Sequence, residues 1–319
     1  MWERAVKNAK TSQPISTTGM FAHTYYWLTS PSGDHVYHNP DFNKEISQDA
    51  ETVIYFIHGT ADQSSAFQRV VERLIQEGLP NEISSLNLPS FEQRYLGKSI
   101  EFFAEQLREK IKANGHRRVI LIAHSRGGLV ASYFAEYLAK VAGIEVSLVM
   151  TVGTPFNGSY LAMRPLTWFS DSIKEMEIGS DFLIQLKKKI MENLTTLYHF
   201  FIATEDAIVP GDSGYIKDYV DKFPDSLTTL DRHGHLSIMS SHRLVSSIAF
   251  LIRKIFHKTH EGSKSVVTKR AEFNLIEDYI PSVQAQHASS PVAPKQKEFV
   301  IIDDYYGTGQ NITVNKLKP

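Results

Sequence analysis

Ser125 has the sequence neighbours that a nucleophilic serine requires. Residues 123–128 read AHSRGG, so small residues lie two positions before and two positions after the serine. An apolar stretch at 119–122 precedes this hexapeptide, and an amphipathic segment at 129–142 follows it. A serine on so tight a strand-to-helix turn is exposed above the sheet. We therefore predict that Ser125 is a nucleophile and that the N-terminus of the following helix stabilises negative charge beside it.

A serine hydroxyl becomes a good nucleophile only when a base accepts its proton and a carboxylate orients that base. For the base we choose His235, which follows the last candidate strand and precedes the final helix. His233, two residues earlier, is the nearest alternative. The chain order serine, acid, histidine is the order typical of this kind of turn.

For the acid we choose Asp206, which directly follows a candidate strand at 198–204. Glu205 faces away if that strand continues to it, and Asp212 lies further along the same loop. Asp171, in the segment before this strand, is a weaker alternative. The sequence leaves these alternatives open.

The attack on a carbonyl group needs two backbone N–H donors for the oxyanion. We expect one donor at Arg126, directly after the nucleophile, and the other at Thr60, after the first strong strand. Gly59 would let this backbone approach the reacting atoms closely. His58 is expected to brace the same loop by hydrogen bonding rather than to react.

These side chains need a framework that brings them to one place. Apolar runs predict strands at 52–57, 83–88, 119–122, 146–152, 198–204 and 227–230, and helical spacing predicts helices at 66–77, 100–113, 129–142, 181–194 and 245–256. Strands that alternate with helices indicate the α/β class with a doubly wound, mainly parallel sheet. The candidate residues follow strands, so they should converge at the carboxyl edge of that sheet.

The chain divides into three parts on composition. We expect a hairpin-like extension packed on the sheet edge at 1–50, a catalytic domain at 51–257, and a linker-like or wrapping tail at 258–319. The extension would contain strands at 21–28 and 35–38, and the tail has one strand candidate at 299–302. The alternation of strands with helices breaks at 160–196, and this break predicts a cap or lid inserted after the sixth strand.

Composition restricts the class of protein. The chain has 319 residues, of which 42% are hydrophobic and 22% charged, and a net charge of -1, so electrostatics give no case for a nucleic-acid partner. No cysteine is present, which excludes disulfides, cysteine nucleophiles and thiolate metal sites. We see no signal peptide and no membrane-spanning stretch, so we expect a cytoplasmic protein, with export by a route that needs no N-terminal signal left open. The oligomeric state is not specified.

Five motifs occur in an order that is typical of one protein family. They are HG at 58–59, AHSRGG at 123–128, GTPFNGS at 153–159, EDAIVP at 205–210 and GHL at 234–236. Together they resemble the α/β-hydrolase superfamily, and GTPFNGS resembles its lipase and carboxylesterase branches. The resemblance covers about residues 50–256. It implies a serine hydrolase that cleaves carboxylic esters of a lipid or acylated substrate through an acyl-enzyme, without cofactor or metal.

Other functions fit the same residues. The triad serves acyl transfer to an acceptor other than water equally well, and also amide or thioester cleavage. A non-catalytic interaction protein that keeps the fold is a further alternative. Peripheral contact with a membrane or a partner is one role open to the tail at 258–319.

Overall fold

A single mixed sheet organises the described part of the chain. The computed structural model describes residue 29 and residues 32–45, 51–60, 62–91, 97–159, 170–193 and 195–261. Within them, seven strands form the sheet: β1 (His35–His38), β2 (Thr52–Ile57), β3 (Ile83–Leu88), β4 (Arg118–His124), β5 (Glu145–Val152), β6 (Leu197–Ala203) and β7 (Leu227–Leu230). Their order is β1-β3-β2-β4-β5-β6-β7, and only β1 is antiparallel to its neighbour. The predicted doubly wound, mainly parallel sheet is confirmed.

The central strands are apolar on both faces because helices cover both sides of the sheet. In β2, all six residues are buried. Val53, Tyr55 and Ile57 belong to one apolar core, whereas Ile54 and Phe56 belong to the other. This alternation explains why β2 reads as a continuous apolar run in the sequence.

Seven α-helices flank the sheet in the described residues. They are α1 (Gln68–Glu77), α2 (Ile100–Ala113), α3 (Arg126–Tyr133), α4 (Asp171–Glu175), α5 (Asp181–Glu192), α6 (Lys217–Lys222) and α7 (His242–Glu261). Helices α1 and α7 cover one face, and buried residues of α2, α3, α5 and α6 cover the other. The loops at the carboxyl ends of the parallel strands therefore share one edge.

The segment after the nucleophile differs from the prediction of one helix over 129–142. Helix α3 ends at Tyr133, and a wider turn follows over Phe134–Leu138. In this turn the amide of Ala139 donates to the carbonyl of Phe134, five residues earlier. This turn contains one residue more than an α-helical turn, which shifts the helical phase. Val141, inside the helix predicted over 129–142, instead lies in the turn after Leu138 and is 88% exposed.

Several predicted segments lie outside the described residues. They are the strand at 21–28, the first part of the insertion at 160–169, and the chain beyond 261, which includes 299–302. The described part of the insertion holds α4 and α5 between β5 and β6. It follows the fifth described strand, which is the sixth when the predicted strand at 21–28 is counted. None of the helices in the described ranges has the length and apolarity needed to cross a membrane.

His199 is a buried histidine whose ring contacts a hydroxyl group. His199 in β6 is 1% exposed, and its Nε2 lies 2.8 Å from the hydroxyl of Thr228. Burial, together with the charge of Lys254, lowers the pKa of His199 from 6.5 to about 3. The native state therefore holds this ring neutral at pH values where the unfolded chain protonates it.

We expect His199 to make unfolding pH-dependent on the acid side. As the pH falls below 6.5, the unfolded state takes up a proton that the native state does not bind, so the free energy of unfolding decreases. The loss should reach about 2 kcal/mol between pH 7.5 and pH 5. His199→Gln keeps a polar group near Thr228 and cannot titrate, so this part of the loss should vanish. Urea unfolding of both proteins at several pH values measures the difference. If the free energy of unfolding fell equally with pH in the wild type and in His199→Gln, His199 would not be the cause.

Candidate active site

Ser125 occupies a strained turn between β4 and α3. Its φ is 55° and its ψ is -130°, and only one other non-glycine residue in the described part of the chain has a positive φ. This conformation is costly for a residue with a Cβ and persists only where the surroundings enforce it. The surroundings do so here. The Ser125 amide donates to the carbonyl of Val152 (2.9 Å), and the Ser125 carbonyl accepts from the amide of Gly128 (3.0 Å).

Two glycines after the serine allow α3 to approach the sheet. A Cβ on Gly127 would lie 2.3 Å from the carbonyl oxygen of Ile57, at the end of β2. A Cβ on Gly128 would lie 1.9 Å from the Oγ1 of Thr154, just beyond β5. Neither position has room for a side chain. The AHSRGG motif therefore reflects contacts with both neighbouring strands.

The structure brings Ser125, His235 and Asp206 together in one chain of hydrogen bonds. The Ser125 hydroxyl donates to Nε2 of His235 over 2.9 Å, and Nδ1 of His235 donates to Oδ2 of Asp206 over 2.7 Å. The donor roles follow because an ionised carboxylate can only accept. The side chains are almost completely buried, with exposures of 8% for His235 and 1% for Asp206. This arrangement can move a proton from the serine to the histidine.

The loop after β6 fixes the orientation of the carboxylate. The Oδ1 of Asp206 accepts hydrogen bonds from the backbone amides of Ile208 (2.9 Å) and Val209 (2.7 Å). This local turn engages one carboxylate oxygen and leaves the other for His235. Aspartate commonly caps its own loop in this way.

The alternative base His233 and the alternative acids Asp212 and Asp171 have other positions in the fold. His233 donates from Nδ1 to the carbonyl of Asp231 in its own loop, and its carbonyl accepts from the amide of Glu205. Asp212 lies in a short turn after Pro210, and Asp171 begins α4.

Both residues expected to supply oxyanion donors follow segments that contact Ser125. A Cβ on Gly59 would lie 3.0 Å from the Ser125 Cβ, so the loop that continues into Thr60 passes close beside the serine. Thr60 itself is exposed. Arg126 is the first residue of α3, where a backbone amide has no partner inside the helix. His58 donates from Nδ1 to the carbonyl of Gly59 (3.1 Å), consistent with the expected bracing of this loop.

The side chain of Arg126 turns away from solvent. It is 2% exposed, with its guanidinium 4.3 Å from the ring centre of Phe103 in α2 and Nη1 3.4 Å from the hydroxyl of Ser172 in α4. Burial lowers the pKa of Arg126 to about 10, although the nearby Glu175 opposes this change. The side chain thus stays protonated at neutral pH and is covered by α2 and α4.

His124, which was not among the candidate site residues, contacts the histidine of the site. The ring of His124 is 1% exposed, and its Nε2 donates to the carbonyl of His235 over 2.9 Å. The two rings lie 4.7 Å apart between centres. The spacing of small residues around Ser125 sets no requirement at position 124, so only the tertiary contact reveals this histidine.

The sheet order, the strained serine after β4 and the Asp–His pair after β6 and β7 define a protein with the α/β-hydrolase fold. Within that class, the chain belongs to the family described as "Domain of unknown function (DUF7379)". The family model matches residues 23–213, more than half of the chain. The match includes Ser125 and Asp206 and ends before His235.

Several solved structures are similar to this chain. A Bacillus licheniformis lipase in its mature form has 18% identity and a TM-score of 0.46, and the alignment covers 67% of this chain and 96% of the lipase. Aspergillus fumigatus lipase B has 12% identity and a TM-score of 0.49, with 68% and 56% covered. A monoacylglycerol lipase of Paleococcus ferrophilus has 13% identity and a TM-score of 0.42, with 63% and 89% covered. No curated protein matches the chain in sequence.

We expect Gly127→Ala to destabilise the protein, because the new methyl group would press on backbone carbonyls at the end of β2 that cannot move aside. The free energy of unfolding should fall by about 1–3 kcal/mol. Gly211→Ala is the matched control, because a Cβ there meets only the Cδ1 of Ile202, at 3.8 Å. Urea unfolding of the two variants measures the contrast. Equal stabilities would show that the turn tolerates a side chain.

Proposed function

We propose that this protein is a serine hydrolase that cleaves carboxylic ester bonds of a lipid or acylated substrate. The observation that carries the proposal is the continuous hydrogen-bond chain from Asp206 through His235 to the hydroxyl of Ser125. The strained backbone at Ser125 supports it, because such strain is concentrated at functional sites.

The first half of the proposed reaction forms an acyl-enzyme. The Oγ of Ser125 attacks the ester carbonyl carbon, and its proton passes to Nε2 of His235. Asp206 stabilises the imidazolium that results. The carbonyl electron pair moves onto oxygen, where the amides of Arg126 and Thr60 would stabilise the negative charge. Collapse of the intermediate breaks the ester bond, and the leaving alcohol takes the proton from His235.

The second half releases the acid. Water gives a proton to His235 as it attacks the acyl carbon, and collapse of the second tetrahedral intermediate returns that proton to the Oγ of Ser125. An acceptor alcohol in place of water would give acyl transfer by the same steps. The residues at the site serve both outcomes, so product analysis must separate them.

The burial of Arg126 supports the proposal that the substrate carries an uncharged acyl group. The cationic side chain directly after the nucleophile, that of Arg126, is buried against Phe103 and Ser172. It therefore offers no exposed charge to a substrate carboxylate. The insertion at 160–196 is proposed to cap the acyl site, because its helix α4 contacts this same arginine.

Labelling with a fluorophosphonate probe and hydrolysis of nitrophenyl esters of graded chain length test the proposal. Ser125→Ala should abolish labelling, because the probe reacts with the activated hydroxyl. His235→Ala and Asp206→Asn should lower kcat by roughly 10³- to 10⁶-fold, since each removes part of the proton relay.

His233→Ala and Asp212→Asn are the matched controls and should leave turnover near wild type. A preference for long acyl chains would identify a lipase, and a preference for short chains an esterase. Parallel assays with thioesters and with added alcohols separate thioester cleavage and acyl transfer. A folded wild-type protein that is neither labelled nor active on any of these substrates, with or without detergent, would refute the proposal.

A further inference from the structure

Thr154, in the GTPFNGS segment, contacts the backbone of the nucleophile. Its side chain is completely buried, and its Oγ1 donates a hydrogen bond to the carbonyl oxygen of Ser125 over 3.1 Å. Gly128 leaves space for this side chain, since a Cβ there would lie 1.9 Å from the Oγ1. The contact joins the end of β5 to the turn after β4. The proposed proton relay makes no use of it.

The contact acts on a peptide group that the proposed mechanism does use. The carbonyl of Ser125 and the amide N–H of Arg126 belong to the same planar peptide unit, in which they point in opposite directions. Any group that holds the carbonyl oxygen therefore also sets the direction of the N–H. That N–H is one of the two proposed oxyanion donors.

Among the described residues, two donors hold this oxygen, and they belong to different segments of the chain. The amide of Gly128 (3.0 Å) belongs to the first turn of α3, so it moves with the peptide that it restrains. Thr154 belongs to a different segment, which is tied to the sheet because the amide of Gly153 donates to the carbonyl of Phe201 over 2.9 Å. Of these two hydrogen bonds, the one from Thr154 connects the peptide directly to the segment that is tied to the sheet.

The same segment lies against the other residues of the proposed relay. A Cβ on Gly153 would lie 3.2 Å from Oδ2 of Asp206 and 3.3 Å from Nδ1 of His235. The segment that carries Thr154 therefore packs against the acid and the base and is hydrogen-bonded to the serine. A strained peptide at Ser125 would otherwise relax by rotating about its flanking bonds.

We propose that Thr154 is a positioning residue, whose hydroxyl aims the Arg126 amide at the oxyanion by holding the Ser125 carbonyl. This inference rests on the proposed function, because it assigns a part of that mechanism. It predicts that the hydroxyl matters for stabilising the tetrahedral intermediate and hardly at all for binding the ester.

Three variants test the hydroxyl. Thr154→Val removes it at nearly constant volume, and Thr154→Ser retains it. Thr151→Val is the matched control, because Thr151 lies in β5, just before the segment that carries Thr154, and is equally buried. Its Oγ1 has no hydrogen-bond partner in the described part of the chain. If Thr154→Val does not fold, Thr154→Ala provides a second hydroxyl-free protein for the same comparison with Thr154→Ser.

Two readouts separate positioning from structural support. The first is kcat and KM for a nitrophenyl ester. The second is the inhibition constant of a trifluoromethyl ketone, which forms a bond from its carbonyl carbon to Oγ of Ser125. In that step the serine proton passes to His235 and the carbonyl electron pair becomes an oxyanion, as in the proposed intermediate.

In Thr154→Val we expect kcat to fall about tenfold with KM unchanged, and the inhibition constant to rise by about the same factor. Thr154→Ser should recover to within about threefold of wild type, and Thr151→Val should match wild type in both measurements.

Wild-type kcat and inhibition constant in a folded Thr154→Val would overturn the inference and leave the proposed function intact. A loss that Thr151→Val shares, or that Thr154→Ser does not recover, would also overturn it. A wild-type protein without labelling or turnover would overturn the proposed function and this inference together.

Discussion

The backbone of Ser125, held at a φ of 55°, is the constraint on which the rest of the site depends. This conformation turns the chain sharply from β4 into α3, and its cost must be offset by contacts around the turn. The hydroxyl of Thr154, just beyond β5, donates to the Ser125 carbonyl, and the start of α3 passes close to the carbonyl of Ile57 in β2 on the other side. The absence of side chains at Gly127 and Gly128 follows from them.

The sheet order then determines where the acid and the base come from. Because β5, β6 and β7 follow β4 in space, the loops after β6 and β7 bring Asp206 and His235 toward the serine. The loop after β5 passes between, and Gly153 fits there because a side chain would press on both residues. Burial of the Asp–His pair excludes water from their hydrogen bond, which strengthens the interaction. The parallel sheet is therefore the part of the fold that assembles the site.

Much of this fold could be predicted from local patterns. The bounds predicted for the strands at 52–57, 83–88 and 227–230 and for the helix at 100–113 are those of the structure, because apolar spacing within a segment determines them. The helix after Ser125 was predicted wrongly beyond Tyr133. There a wider turn changes the phase, and nothing in the spacing of apolar residues indicates where such a turn occurs.

The sequence by itself determined that Ser125 lies on a tight strand-to-helix turn, because small residues at fixed spacing are a local requirement of that turn. It also limited the acid and the base to a few residues after later strands. Only the tertiary structure decided that His235 Nδ1 meets Asp206, and that His124 and Thr154 touch the same site. The reason is physical: these contacts join residues distant in the chain, and the packing of strands and loops sets their distances.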